Sequence, residues 1–72
     1  MNPRRTAWHT CSDGTRVMLF VQRVDYSPMN RWEAEPVRGN DQPWPSSFRR
    51  TGRTREEALA AAGEAWREAV AA

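Results

Sequence analysis

The sequence contains no lysine and no isoleucine, and its 72 residues include one histidine and one cysteine. Without lysine there is no side-chain amine for Schiff-base or general-base chemistry. The single cysteine, Cys11, cannot form an internal disulfide, which fits a reducing cytoplasm. No run of about 18 apolar residues predicts a membrane span, and the charged N-terminal segment lacks the apolar core of a signal peptide. We therefore expect one small cytoplasmic domain over residues 1–72.

The motifs of common enzyme classes are also missing. There is no glycine-rich phosphate loop, no His-Glu-x-x-His and no Gly-x-Ser-x-Gly. His9 and Cys11 stand two apart in a predicted strand and so share a face, but a catalytic dyad needs a third, orienting group. A structural zinc site needs four ligands, which leaves only a site shared between two copies of the chain. We expect two ordinary strand residues, and a protein without enzymatic activity, cofactor, metal or small-molecule substrate.

Arginine supplies all eleven basic side chains, and the formal net charge is +2. Residues 1–55 hold ten arginines against five acidic residues, a net charge of +5, whereas residues 56–72 have a net charge of −3. This asymmetry suits a nucleic acid or an acidic protein as partner, although an ordinary solvated surface also explains it. The densest basic group precedes the predicted helix, where positive charge opposes the helix dipole. Its members Arg49, Arg50 and Arg53 are the candidate nucleic-acid or anion-binding residues.

The C-terminal segment has the pattern of a helix. Thr54 and Glu57 have the spacing of a capping box, and the alanine-rich stretch that follows favours helix. We predict a helix over residues 54–71. Its apolar stripe consists of Leu59, Ala62, Gly63, Trp66 and Val70. Because glycine costs about 1 kcal/mol relative to alanine in a helix, Gly63 in this stripe predicts that the helix lies close against a strand.

Upstream of the helix, apolar and polar residues alternate with the period of β-strands. Asp13 and Gly14 predict a tight two-residue hairpin turn. We predict four strands, over residues 6–11, 15–24, 31–37 and 47–51. The expected architecture is an α+β domain, in which the helix packs on one face of an antiparallel meander of three or four strands.

The two faces of the second predicted strand are both apolar. Val17, Leu19 and Val21 share one face, which the helix covers. Met18 and Phe20 lie on the other face, which one helix cannot also cover, so they are candidate protein-binding residues.

The tryptophans divide between core and surface. Trp32 and Trp66 fall on core stripes, with Glu33 and Glu35 pointing outward beside Trp32, and the pattern leaves Trp8 unassigned. Trp44, between Pro43 and Pro45 in a loop, either anchors a partner or folds back over the small core. We include it among the candidate protein-binding residues because exposed aromatics dominate interfaces.

The entry to the predicted helix resembles that of HicB-type antitoxins, whose helix begins with Gly-x-Thr-x-Glu-Glu-Ala-Leu after three antiparallel strands. Here that motif is formed by Gly52, Thr54, Glu56, Glu57, Ala58 and Leu59. The resemblance covers residues 16–70 and implies a strand meander followed by one helix. The loop with Trp44 replaces the family's short Pro-Gly-Cys approach to its third strand, and the family's DNA-binding segment has no counterpart. Neutralisation of a toxin ribonuclease and DNA recognition are therefore not carried over.

These observations favour a non-enzymatic protein-binding module, antitoxin-like or an inhibitor or adaptor, of the kind that bacteria and phages encode. Its expected partner is another protein or a second copy of itself, as a homodimer, through Met18, Phe20 and Trp44. The alternative is a small nucleic-acid-binding protein that uses the three clustered arginines.

Overall fold

The computed structural model describes residues 5–25, 29, 31–37 and 45–71. Four strands form one antiparallel sheet in the order β1-β2-β3-β4. The elements are β1 (Arg5–Thr10), β2 (Arg16–Arg23), β3 (Trp32–Pro36), a short 3-10 helix (Pro45–Phe48), β4 (Arg50–Gly52) and α1 (Arg55–Ala71). The predicted α+β architecture is confirmed, because α1 packs against one face of this meander. No helix among the described residues is long and apolar enough to cross a membrane.

The core lies between α1 and the sheet. From β2 it takes Val17, Leu19 and Val21, which confirms the predicted inward face of that strand. Small residues of the helix allow close packing, since Ala58 and Ala62 are completely buried. The rest of the buried cluster is Cys11, Ala34, Leu59 and Trp66.

Two sequence predictions for the C-terminal half of the chain fail in detail. The strand predicted over residues 47–51 covers Arg50–Gly52 instead. Ser47 and Phe48 belong to the 3-10 helix, and the Phe48 ring packs edge-on against Trp66 with ring centres 5.2 Å apart. Val70 is not in the core but 42% exposed. A helix of 17 residues is about 25 Å long and outreaches a sheet of four strands, about 15 Å wide.

The turn between β1 and β2 is longer than predicted. The Cys11 amide donates to the Thr15 carbonyl at 2.7 Å, and the Gly14 amide donates to the Cys11 carbonyl at 2.9 Å. This is the bonding of a three-residue loop, in which the last loop residue takes a positive φ. Gly14 has a φ of 91°, and Asp13 Oδ1 accepts the Thr15 amide at 2.9 Å. Cys11 therefore lies just after β1, not within it.

The capping box at the start of α1 forms with one difference. Thr54 Oγ1 accepts the Glu57 amide at 3.1 Å, as predicted. Glu57 Oε2 accepts the Arg53 amide at 2.9 Å, one residue earlier than the predicted return bond to Thr54. The first bond satisfies an amide of the first helical turn that has no acceptor within the helix, and the second ties the residue before the cap to the helix.

Replacing the cap tests its contribution to stability. We expect Thr54→Ala to lower the free energy of unfolding by about 1 kcal/mol, because the Glu57 amide loses its acceptor. Thr54→Ser keeps the hydroxyl and should retain most of the stability. Urea unfolding of the three proteins measures the difference, and equal midpoints would contradict the role of the cap.

Candidate functional site

The sheet face opposite α1 is the first candidate site, and we call it the open face. Strand register places Trp8 of β1 beside Met18 of β2, and Phe20 of β2 beside Glu35 of β3. Trp8 is 53% exposed, and Met18 and Phe20 are half-buried. The sequence pattern identified Met18 and Phe20 but left Trp8 unassigned. The partner strand, which brings Trp8 beside them, completes an aromatic and apolar ridge.

Trp8 is held in place by an arginine. The guanidinium carbon of Arg16 lies 4.7 Å from the centre of the Trp8 ring. Such a cation–π contact contributes about 0.5–1 kcal/mol at an exposed site. It also keeps a large ring and a positive charge together at the β1 side of the open face.

The β3 side of the open face is acidic. Glu33 is only 6% exposed, and its Oε1 accepts a hydrogen bond from Gln22 Nε2. Arg49 Nη1 lies 3.9 Å from Glu33 Oε2. A shallow depression lies between β2 and β3, lined by Phe20, Val21, Gln22, Glu33, Ala34 and Glu35. Glu33 points outward as predicted, but its neighbours bury it.

Of the remaining predicted residues, the structure describes the three clustered arginines. Trp44 lies outside the described residues, so its role stays a prediction. Arg49, Arg50 and Arg53 are all exposed around β4. Arg50 Nη1 donates to the carbonyl oxygens of Ser47 and Arg49, at 3.2 and 2.9 Å. The guanidinium of Arg50 therefore holds the segment before β4 through these two hydrogen bonds.

A second cluster forms where the β1–β2 hairpin meets the helix. His9 Nε2 lies 3.2 Å from Glu64 Oε2, and the donor atoms of His9, Cys11 and Glu64 are all within 4.8 Å of one another. The Cys11 thiol donates to the Gly63 carbonyl at 3.7 Å. The third group that sequence reasoning could not find is thus Glu64. It is 52 or more residues away in the chain, and the helical pattern placed it on the polar side.

The electrostatics of this second cluster do not activate the thiol. Burial, followed by the negative charge of Glu64, raises the pKa of Cys11 above its ordinary value. The hydrogen bond with His9, and then that with Arg67, lower the pKa of the Glu64 carboxyl. At neutral pH the metal-free site therefore holds a protonated thiol beside a carboxylate, and a reactive cysteine requires the opposite arrangement.

Gly63 makes the cluster possible. A Cβ at this position would lie 2.5 Å from His9 Cδ2, so the imidazole ring packs directly on the helix backbone. The close approach predicted from glycine in the apolar stripe is therefore present, and the neighbour is β1.

No family model matches the chain, and no curated protein and no solved structure matches it. The resemblance to HicB-type antitoxins accordingly rests on the residues quoted for it. Of these, Gly52 is buried where its Cβ would meet the Ala58 amide nitrogen at 2.6 Å, and Thr54 and Glu57 form the cap. These contacts explain the motif as a compact strand-to-helix connection.

The contact between Gly63 and His9 predicts that replacing this glycine with alanine destabilises the protein, which is the opposite of the usual effect in a helix. Alanine at a helical glycine ordinarily gains up to about 1 kcal/mol. Here Gly63→Ala should instead lower the free energy of unfolding, because overpacking costs about 1–3 kcal/mol. In a His9→Ala background the same substitution should stabilise the protein. Urea unfolding of the four proteins measures both effects.

The control is Ala61→Gly, at an exposed position of the same helix. It should cost about 1 kcal/mol in both backgrounds. If Gly63→Ala had the same sign with and without the imidazole, the close contact would not be the reason for glycine at this position.

Proposed function

We propose that this chain is a non-enzymatic protein-binding module whose open face pairs with the open face of a second copy. The observation that carries the proposal is the ridge of Trp8, Met18 and Phe20 on the sheet face opposite α1, with Trp8 more than half exposed. A chain of this size buries only about 60% of its unfolded surface. Covering the ridge would add apolar burial that such a small core lacks.

The charge pattern of the open face is self-complementary. Arg16 belongs to β2, but its guanidinium lies over the Trp8 ring at the β1 side, and Glu33 and Glu35 lie at the β3 side. A twofold axis between these halves brings the basic half of each copy over the acidic half of the other. Met18 and Phe20, on the strand between them, then pack near the axis. A second copy would therefore cover the apolar ridge and place a charge of opposite sign over each charged half of the open face.

The biological role that we propose for this module is antitoxin-like, or that of an inhibitor or adaptor. The resemblance of the helix entry to HicB-type antitoxins supports this choice.

Sedimentation over a wide concentration range tests the homodimer. The 8.3-kDa chain should approach twice its mass as concentration rises. Trp8→Asp and Phe20→Asp should each raise the dissociation constant at least about tenfold, the loss typical of an interface anchor. Circular dichroism verifies that each variant is folded.

The matched control is Val70→Asp, which places the same charge on an exposed apolar residue of α1, away from the open face. It should leave the dissociation constant unchanged. A monomer at every concentration, or an equal effect of all three substitutions, would contradict pairing through the open face.

Nucleic-acid binding through Arg49, Arg50 and Arg53 is the second candidate, favoured by the exposure of all three side chains. It predicts binding of single-stranded RNA or DNA at low salt, with an affinity that falls steeply as salt rises. Replacing the three arginines with glutamine should abolish that binding, whereas replacing Arg16 and Arg23 of β2 should not. No binding at low salt would exclude this candidate.

A further inference from the structure

The second cluster brings together three different donor types at one point. The imidazole of His9 comes from β1, the thiol of Cys11 from the start of the hairpin loop, and the carboxylate of Glu64 from the middle of α1. Nitrogen, sulfur and oxygen donors in one site suit Zn²⁺ and its neighbours among the transition metals. Mg²⁺ and Ca²⁺ prefer oxygen ligands alone.

The spacing of these donors fits a tetrahedral ion. With bond lengths near 2.0–2.2 Å for nitrogen and oxygen, two ligands at the tetrahedral angle are about 3.3–3.5 Å apart. His9 Nε2 and Glu64 Oε2 are 3.2 Å apart. Cys11 Sγ lies within 4.8 Å of a donor nitrogen of His9 and of a carboxylate oxygen of Glu64, and a longer metal–sulfur bond needs a separation of about 3.6 Å. A shift of the thiol by about 1 Å, within the reach of a side-chain rotation, completes the set.

We propose that His9 Nε2, Cys11 Sγ and Glu64 Oε2 bind a divalent transition-metal ion of the Zn²⁺ class. Three protein ligands leave the fourth position to a water molecule. When the ion binds, the neutral imidazole of His9 coordinates through Nε2 and carries its one proton on Nδ1, the carboxylate of Glu64 binds in its ionised form, and the Cys11 thiol releases its proton to solvent. This site is separate from the open face, because His9 and Trp8 point to opposite sides of β1.

Groups around the three ligands already hold the carboxylate in position. The Ser12 amide donates to Glu64 Oε2 at 3.2 Å, and Arg67 Nε donates to Oε1 at 3.1 Å. Such second-layer bonds orient metal ligands in proteins. The positive charge of Arg67 is balanced by Asp13 and Glu68, which lie 3.6 and 3.8 Å from its Nη1 and Nη2 atoms.

Access and packing also favour binding. The side chains of His9 and Glu64 are 20% and 32% exposed, so an ion can enter from solvent. Cys11 is 4% exposed and forms the inner wall of the site. Gly63 lets the imidazole pack directly against α1, where its Nε2 lies 3.2 Å from Glu64 Oε2. These features describe a pocket with an open side and three convergent donors.

Titration of the full, reduced, chelator-treated chain with Co²⁺ tests the proposal. We expect one ion per chain, with a near-ultraviolet thiolate-to-cobalt band and the intense visible bands of four-coordinate cobalt. Because Cys11 is the sole cysteine, a thiolate band reports on this site alone. Zn²⁺ should displace Co²⁺ and raise the thermal midpoint of unfolding. One ion shared by two chains, or no thiolate band at millimolar Co²⁺, would overturn the proposal.

Matched variants locate the site. Cys11→Ser should remove the thiolate band, and Glu64→Gln should weaken binding at least about tenfold through loss of a charged ligand. Glu68→Gln removes the same charge one helical turn later, outside the donor set, and should bind Co²⁺ almost as well as the unmodified chain.

If Cys11→Ser does not fold, the comparison of Glu64→Gln with Glu68→Gln tests the site. Neither carboxylate is buried, so we expect both of these variants to fold. Equal affinities of Glu64→Gln and Glu68→Gln would show nonspecific attraction to an acidic helix and would contradict the site. Sedimentation of the chelator-treated chain keeps this result separate from that of the proposed homodimer.

Discussion

The packing of α1 against one face of the sheet determines the rest of the structure. Leu19, Ala58 and Ala62 are completely buried at this contact, and the small helical side chains let the helix lie close to the strands. One helix can cover one face of a sheet, and the opposite face here carries Trp8, Met18 and Phe20. The protein-binding proposal is therefore a consequence of the same contact that forms the core.

The same close packing creates the cluster at the hairpin. Gly63 removes the side chain that would separate α1 from β1, and the imidazole of His9 fills the space. The next helical residue, Glu64, then reaches both the imidazole and the amide of Ser12. The contact between the imidazole and the carboxylate therefore depends on this close approach of α1 to β1.

Local patterns predicted most of the fold because each element carries its own signal. Alternation at Val17, Leu19 and Val21 located β2 and its buried face, and the cap at Thr54 located the start of α1. The predictions failed where contacts between residues far apart in the chain determine the local structure. Phe48 lies in a 3-10 helix beside Trp66, and Val70 lies beyond the sheet.

The same limit applies to the sites. The alternation of apolar residues along the strand was enough to predict Met18 and Phe20. Assigning Trp8 to the same face requires the register of β1 against β2. Assigning Glu64 to the second cluster requires the packing of α1 against β1, which joins residues 55 positions apart in the chain.

Strand β1 links the two proposed sites. It is an outer strand of the sheet, paired with β2 along one edge, and the alternation of its side chains sends Trp8 to the open face and His9 to the helix. An edge strand held only by its ladder frays readily. Here the bonds of Glu64 to His9 and Ser12 tie the strand and its hairpin to α1 from behind. A metal ion at the same donors would strengthen that tie. The ring of Trp8 would then be presented from a fixed strand, and an aromatic anchor held in its bound position loses less entropy when a partner binds.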